Sequence, residues 1–373
     1  MSRSSLRPAA RPAARPAARP AARFIARTIA GALAGLLAGS LLVGAGPATA
    51  APAPAGPAVS SARWLSGQLE RHRIRNVEFD FADWGLTIDT YWAMVATDTR
   101  PERAARVIET VSDHAREYVS FDGDFFTGPV AKLLLARRVA GLTRTVDEPR
   151  LNLRAQLVSQ IQPNGRISDT GDVDFSTVLT QSLSVLALVR TGGRVPQQVV
   201  DYLVRQQCGP GWFREQLGRR CDVVRDEPYV DSTALAVQAL VAARRAGADV
   251  PGSVRRAADW LQSVQRRNGS FRSSGGSGLV NSNTTGLAAQ AYGAVGLKGP
   301  AAKAGEWVAT LQLTEQRAGG AVDDLGAIAY DRPTLREARD DGITDGTRDL
   351  WRRSTPQAQF ALRPVPLTRL SAD

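Results

Sequence analysis

Histidine is almost missing: 373 residues contain two, His72 and His114. Zinc sites need clustered nitrogen or sulfur ligands, so two scattered imidazoles exclude a conventional one. They also leave no basis for a specific Ser-His-Asp proposal. Cysteine is equally scarce, with only Cys208 and Cys221. A lone pair with twelve residues between them reads, in an oxidising compartment, as a disulfide rather than a catalytic thiol. Closing that loop stabilises by roughly 3 kcal/mol in the chain-entropy account. After residue 50 no apolar run reaches the roughly 20 residues a membrane span requires. Charge of one sign is also less abundant than it first looks. Residues 1–50 hold seven arginines and no acid, and without them the formal charge falls from +11 to +4. A folded part so nearly balanced lacks the basic stripe that nucleic-acid binding requires.

The first fifty residues read as an export signal. Arg-Pro-Ala-Ala repeats through 7–23, where proline at every fourth position forbids a stable helix. An uncharged apolar run from Ile29 to Gly44 follows, then Ala48-Thr49-Ala50. A basic start, an apolar middle and small residues at peptidase spacing predict a secreted protein cleaved after Ala50. Residues 51–61 would be a linker, 62–365 the folded domain and 366–373 a tail.

Within the domain, segments recur. Residues 174–183 read DFSTVLTQSL, 231–240 DSTALAVQAL and 283–292 NTTGLAAQAY. Asp174 and Gln181, Asp231 and Gln238, and Asn283 and Gln290 stand seven apart. An acid or amide, hydroxyls and then an apolar run suggest a capped helix buried on most sides. Between these lie amphipathic helices with an aromatic head and a glutamine five residues on: Tyr202 to Gln207, Trp260 to Gln265 and Trp307 to Gln312. Outer helices are expected to begin near 62, 102, 151, 197, 254 and 302, and inner helices near 87, 128, 174, 231, 283 and 354. A period of about fifty residues marks a repeat architecture. Six pairs, each with a helix apolar all round, predict an all-α (α/α)6 toroid rather than an open solenoid.

These residues resemble the prenyltransferase and squalene–hopene cyclase repeat superfamily. Gln265-Arg-Arg-Asn-Gly-Ser-Phe271 is similar to the cyclases' Gln/Trp repeat, and Gln207–Phe213 and Gln162–Ile167 are looser copies. Gly85–Asp89 and Asn281–Gly286 look most like secreted actinobacterial members of unknown function. The resemblance implies an (α/α)6 toroid over 62–365, a fold shared with the cobalamin carriers intrinsic factor and transcobalamin. Its chemistry does not carry over intact. The Asp-x-Asp-Asp of class II cyclases is absent, and Asp169-Thr-Gly-Asp172-Val-Asp174 has the wrong spacing. Asp340-Asp341-Gly-Ile-Thr-Asp345 has one residue too many for Asp-Asp-x-x-Asp. The zinc ligands of protein prenyltransferases are missing, and Cys208-Gly209-Pro210 is no thioester motif. No cofactor is expected.

What remains is a loop-rich end. Outer-to-inner connections are long (72–86, 120–127, 163–173, 208–230, 266–282 and 313–353), and in a toroid they share one face, where sites are expected. Asp83, Asp89, Asp124, Asp172, Asp174 and Asp231 lie beside the inner-helix starts, and Arg137, Arg138, Arg190, Arg244 and Arg245 at their ends. Capping and dipole pairing account for such residues; a polar ring around a cavity is the functional alternative. The candidate ligand contacts are Asp89, Asp174, Asp231 and Asn283, with Gln181, Gln238 and Gln290 behind them and Trp84, Tyr91 and Trp92 nearby. Phe125, Phe126 and Tyr292 belong to the same set of aromatics, for which core packing is the alternative role. The segment 313–353 is too long for a plain connection and reads as a lid or a mobile loop. The expected function is binding of a small, partly apolar ligand by a monomer; the resemblance implies one that is isoprenoid- or cobalamin-like. The alternatives are a cyclase- or prenyltransferase-like enzyme and an adhesive scaffold.

Overall fold

Helix pairs follow one another along the chain in a computed structural model describing residues 55–143, 150–192, 194–218, 221, 228–273 and 278–372. The expected signal segment and its cleavage point lie outside the described residues. The inner helices are α2 (Trp84–Ala96), α5 (Thr127–Val139), α7 (Val178–Arg190), α9 (Val230–Arg245), α11 (Ser282–Val295) and α14 (Asp345–Leu362). Their outer partners are α1 (Pro57–Gly67), α3 (Pro101–Asp113), α6 (Leu153–Ser159), α8 (Gln197–Val204), α10 (Ser253–Val264) and α12 (Lys298–Ala309). A short α4 (Ala115–Val119) precedes α5, and α13 (Arg332–Asp341) precedes α14. Three two-residue hairpins decorate the long connections: β1 (Arg75–Asn76) with β2 (Phe81–Ala82), β3 (Ser120–Phe121) with β4 (Asp124–Phe125), and β5 (Phe271–Arg272) with β6 (Val280–Asn281).

Each inner helix packs on the next, α2 on α5, α5 on α7, α7 on α9, α9 on α11 and α11 on α14, and α14 returns to α2. The ring is closed, as its buried helices demand: α9 is buried without a break from Ser232 to Ala243. The outer helices α3 and α10 bury one stripe and expose the other. At the closure Gln359 Nε2 donates to the Ala93 carbonyl (2.8 Å) and Trp64 Nε1 to Asp324 Oδ1 (2.8 Å).

A small device recurs in the long connections. Gln207 Nε2 donates to the Gly211 carbonyl and to Ser253 at the head of the next outer helix, both at 2.9 Å. Gln265 does the same to Gly269 and Pro300, and Gln312 to Gly326 and Pro57. Gly269 has φ +89°, and a Cβ there would overlap the Lys303 carbonyl, so only glycine fits. Gly326, φ +97°, sits against Ser60 in the same way and locks the last connection to the first helix. The chain then turns inward. The buried Ile74, Phe213, Phe271 and Ile328 each donate their N–H to a threonine of the inner helix, Thr87, Thr233 and Thr285 one turn in and Thr355 deeper within α14.

The third repeat corrects the sequence alignment. Gln181 accepts from Ile167 N (3.0 Å) and donates to Gly165 (3.0 Å) and Val199 (3.2 Å). One side chain thus does the work of both the threonine and the glutamine, so Gln181 corresponds to Thr233 and Thr285, not to Gln238 and Gln290. The expected caps also move. Thr177 caps α7, not Asp174; Asn281 caps α11, not Asn283; Asp231 lies in the first turn of α9, after its cap position at Tyr229. Segment 313–353 is a folded insert rather than a loose loop. It holds a 3-10 turn (Gly319–Asp324), α13 and two turns of α14, with Ile328, Ala338 and Trp351 buried. No helix among the described residues is long and apolar enough to cross a membrane.

Candidate functional site

The long connections converge where the inner helices begin, and a band of polar side chains runs round that mouth through five of the six helices. On α5, Lys132 Nζ lies 2.7 Å from Asp89 Oδ1 of α2, each side chain 18% exposed. The same Nζ sits 5.5 Å from the centre of the Trp92 ring. Burial holds the Asp89 carboxyl above its ordinary range, and Lys132 draws it partly back. Tyr118 of α4 has its phenol pushed up by burial and by Asp89 and Asp83. Asp83 caps α2 through Leu86 N (2.9 Å) and pairs with Arg353 of α14 (2.6 Å). Asn283 Nδ2 of α11 then donates to Gln357 Oε1 of α14 (2.9 Å) and reaches the Arg353 carbonyl at 3.4 Å.

Beyond Asn283 the pairing stops. Asn283 Oδ1 and Ser282 Oγ on α11 and Ser232 Oγ on α9 are buried with no hydrogen-bond partner among the described residues, and Asp231 shares a loose side-chain hydrogen bond with Thr284. Burial raises the Asp231 carboxyl to about 6; the nearby Thr284 hydroxyl lowers it, and the Glu215 carboxylate adds to the rise. Tyr330 stands close by, its phenol raised by burial and then by Asp231 and Asp331. Its carbonyl accepts from Ser282 N (2.8 Å).

Above this band the connections present apolar side chains to solvent. Phe79 (69% exposed), Phe121 (77%) and Phe175 (65%) project from three successive connections, with Leu279 further round. Phe175 leans on Phe126, ring centres 6.3 Å apart.

The residues singled out from sequence distribute unevenly. Asp89, Asp231 and Asn283 belong to the band. Asp174 lies on the connection before α7, paired with Arg166 and accepting from Asp169 N and Ser176 N. Burial pushes its carboxyl up, but the Ser176 bonds, Asp169 N–H and Arg166 bring it below its usual value. Gln238 bonds Gln290 Oε1 and Leu367 N, and Gln290 bonds the Val365 carbonyl, so both hold the C-terminal segment. Trp92 is buried beside Lys132, and Trp84 stacks on His114 with centres 4.6 Å apart. Tyr91 faces the other way, lining a groove of about 610 Å³ with Met94 and Ile108. Cys208 and Cys221 are bonded, Cα atoms 5.5 Å apart. Missed were Lys132, Arg353, Gln357, Thr284 and Tyr330. Lys132 carried a signal: it is one of three lysines in the chain and interrupts the apolar run of α5 that precedes Arg137 and Arg138.

No family model matches this sequence, and no curated protein resembles it closely enough to register. Solved structures do match in three dimensions. An unsaturated glucuronyl hydrolase from Bacillus sp. GL1 aligns with TM-score 0.54 at 14% identity, over 83% of this chain and 95% of its own. An α-amylase from Clostridium perfringens gives 0.57 at 10% identity, over 83% and 97%. A type II terpene cyclase from Scytonema, solved with merosterolic acid A, gives 0.50 at 16% identity, over 82% and 96%. At such identities the likeness is one of fold. The chain is an (α/α)6 toroid, an architecture that serves sugar hydrolases and terpene cyclases alike.

Proposed function

We propose that this is a secreted toroid protein that binds a small, partly apolar molecule at its mouth. One observation carries the reading: exposed phenyl rings stand over a polar band that still has unfilled hydrogen bonds. Buried polar atoms are normally paired, and exposed aromatic groups beside a concave polar surface are the usual marks of a binding site. Asp89, Asp231 and Asn283 would meet the polar part of the ligand, and Phe79, Phe121 and Phe175 its apolar part. Export is supported by the basic-then-apolar N-terminal sequence and by the Cys208–Cys221 bond, which persists in oxidising compartments. Native mass spectrometry of protein collected from its own culture medium tests the binding. A bound small molecule is expected, and a ligand-free mass in every preparation would count against the reading.

Acid chemistry on that ligand is the second reading, favoured by Asp231. A carboxyl held at about 6 keeps a useful proton close to neutral pH. Turnover of squalene or a prenyl diphosphate, falling as pH rises through 6, would put catalysis ahead of binding.

A further inference from the structure

Each exposed phenyl ring at the mouth stands next in sequence to an acid. The connections into α2, α5 and α7 carry Val77-Glu-Phe-Asp-Phe81, Phe121-Asp-Gly-Asp-Phe-Phe126 and Asp172-Val-Asp-Phe175. These three stretches hold six carboxylates and no lysine or arginine, although residues 51–373 together carry +4. Hydrogen bonds weld the second and third stretches into one platform. Thr170 accepts from Phe125 N (2.8 Å) and donates to the Phe125 carbonyl (3.1 Å), while Asp169 accepts from Thr127 N (2.7 Å) and Phe175 N (3.0 Å). The rings of Phe121 and Phe175 are therefore held out in water on a rigid support, as in an interaction surface. Some of the acids are occupied: Asp80 faces Arg75, Asp174 faces Arg166 and Asp124 accepts from the Thr170 hydroxyl. Glu78, Asp122 and Asp172 are exposed and form no ion pair among the described residues.

Charge decides among partners for this rim. A second copy turned face to face would set carboxylates on carboxylates. An anionic lipid surface or a nucleic-acid backbone would meet the same repulsion. A neutral sugar or an alkyl chain would use the rings and leave the acids idle. A single amine is too short, because packed helices lie about 8–10 Å apart and three successive connections therefore span roughly 20 Å. An extended peptide covers that distance with about six residues at ~3.3 Å each. Its side chains can alternate cation and apolar group as the rim alternates acid and ring. The rim already holds one such contact, the Arg116 guanidinium 5.8 Å from the centre of the Phe125 ring. We infer that the molecule at the mouth is a basic, partly apolar peptide segment laid across the connections into α2, α5 and α7. Its cations meet Glu78, Asp122 and Asp172, and its apolar side chains meet Phe79, Phe121 and Phe175. The inference rests on the reading that this end binds a partly apolar molecule, and it names the class.

The test is fluorescence anisotropy of the purified, exported chain with labelled nine-residue peptides. Four are compared: alternating arginine and leucine, arginine and serine, glutamine and leucine, and glutamate and leucine. The arginine–leucine peptide is expected to bind, and more weakly as salt rises, because exposed charges are screened. The other three should bind about tenfold more weakly or not at all. Phe121→Ala and Phe175→Ala should each weaken arginine–leucine binding about fivefold. Asp122→Asn with Asp172→Asn should weaken it about tenfold and flatten its salt dependence. All four positions are exposed, so melting temperatures should stay unchanged, and Val158→Ala on α6 should alter neither affinity nor melting. Glutamine–leucine binding as tight as arginine–leucine, or binding indifferent to the rim variants, would overturn the inference. Self-association or pelleting with phosphatidylglycerol vesicles, if abolished by Phe121→Ala, would give the face to a second copy or to lipid and also overturn it. No peptide binding, with a non-peptide molecule in the native mass spectrum, would remove the peptide and leave the binding reading standing. A ligand-free spectrum as well would remove both.

Discussion

The two edges of the mouth are built from similar residues and finished differently. On the α2–α5–α14 edge every charge has an opposite: Asp89 has Lys132 and Asp83 has Arg353. On the α9–α11 edge Asp231 has no cation against it among the described residues, and the Glu215 carboxylate repels it. A paired edge is rigid and self-sufficient, whereas an unpaired one carries a folding cost that a ligand can relieve. Stability traded for function in this way is a familiar mark of a site.

The comparison can be broken first at its paired edge. Lys132→Met leaves the Asp89 carboxylate half-buried and alone, which should cost about 3 kcal/mol in urea unfolding at pH 7. Adding Asp89→Asn should restore most of it; no restoration would mean that Lys132 matters for packing instead.

The unpaired edge should respond with the opposite sign. The folded Asp231 carboxyl titrates at about 6 against an ordinary 3.8. A raised acid favours folding below its unfolded value, and that advantage disappears as pH climbs through 6. Asp231→Asn should therefore change little at pH 3.5 and stabilise by roughly 2 kcal/mol at pH 7.5. Equal effects at both pH values would contradict the burial of this carboxyl.

The smallest effect should be at Asp83, which is both a cap and half of an exposed pair. Asp83→Ala should cost about 1 kcal/mol through the lost Leu86 N–H bond, with little added by Arg353. Melting curves at low and high salt check this: a strong salt dependence would assign the loss to Arg353 instead.

The order of elements and the closure were legible in the sequence because both follow from burial. A chain with six helices apolar nearly all round has few ways to cover them. The motif glutamines were legible too, since Gln207, Gln265 and Gln312 meet the next helix through glycine turns. Register was not. DFST and NSNTT each offer several side chains able to cap, and the choice of Thr177 and Asn281 depends on where the connection enters. The last inner helix, expected to begin near 354, begins at Asp345, and Pro356 marks no boundary. Here it lies inside α14, buried. The pairings of the mouth were out of reach, as Asp83 and Arg353 are 270 positions apart and meet only when the ring closes.

That closure also governs the order of events in folding. Trp64 waits for Asp324, Ser61 for Gly326, Gln68 for Arg352 and Ala93 for Gln359, separations of 260, 265, 284 and 266 residues. Bringing such distant partners together is slow, and no early step can stand in for it. The first two pairs can form helices and local contacts, but their free flank stays wet until the last inner helix is present. Hydrogen exchange on a chain ending at Arg317 should thus find α1 and α2 poorly protected, with α7 and α9 the best shielded. Full protection of α1 in that fragment would mean the pairs are stable singly. Otherwise the molecule behaves as a clasp, slack along its length until the final turn of chain snaps it shut.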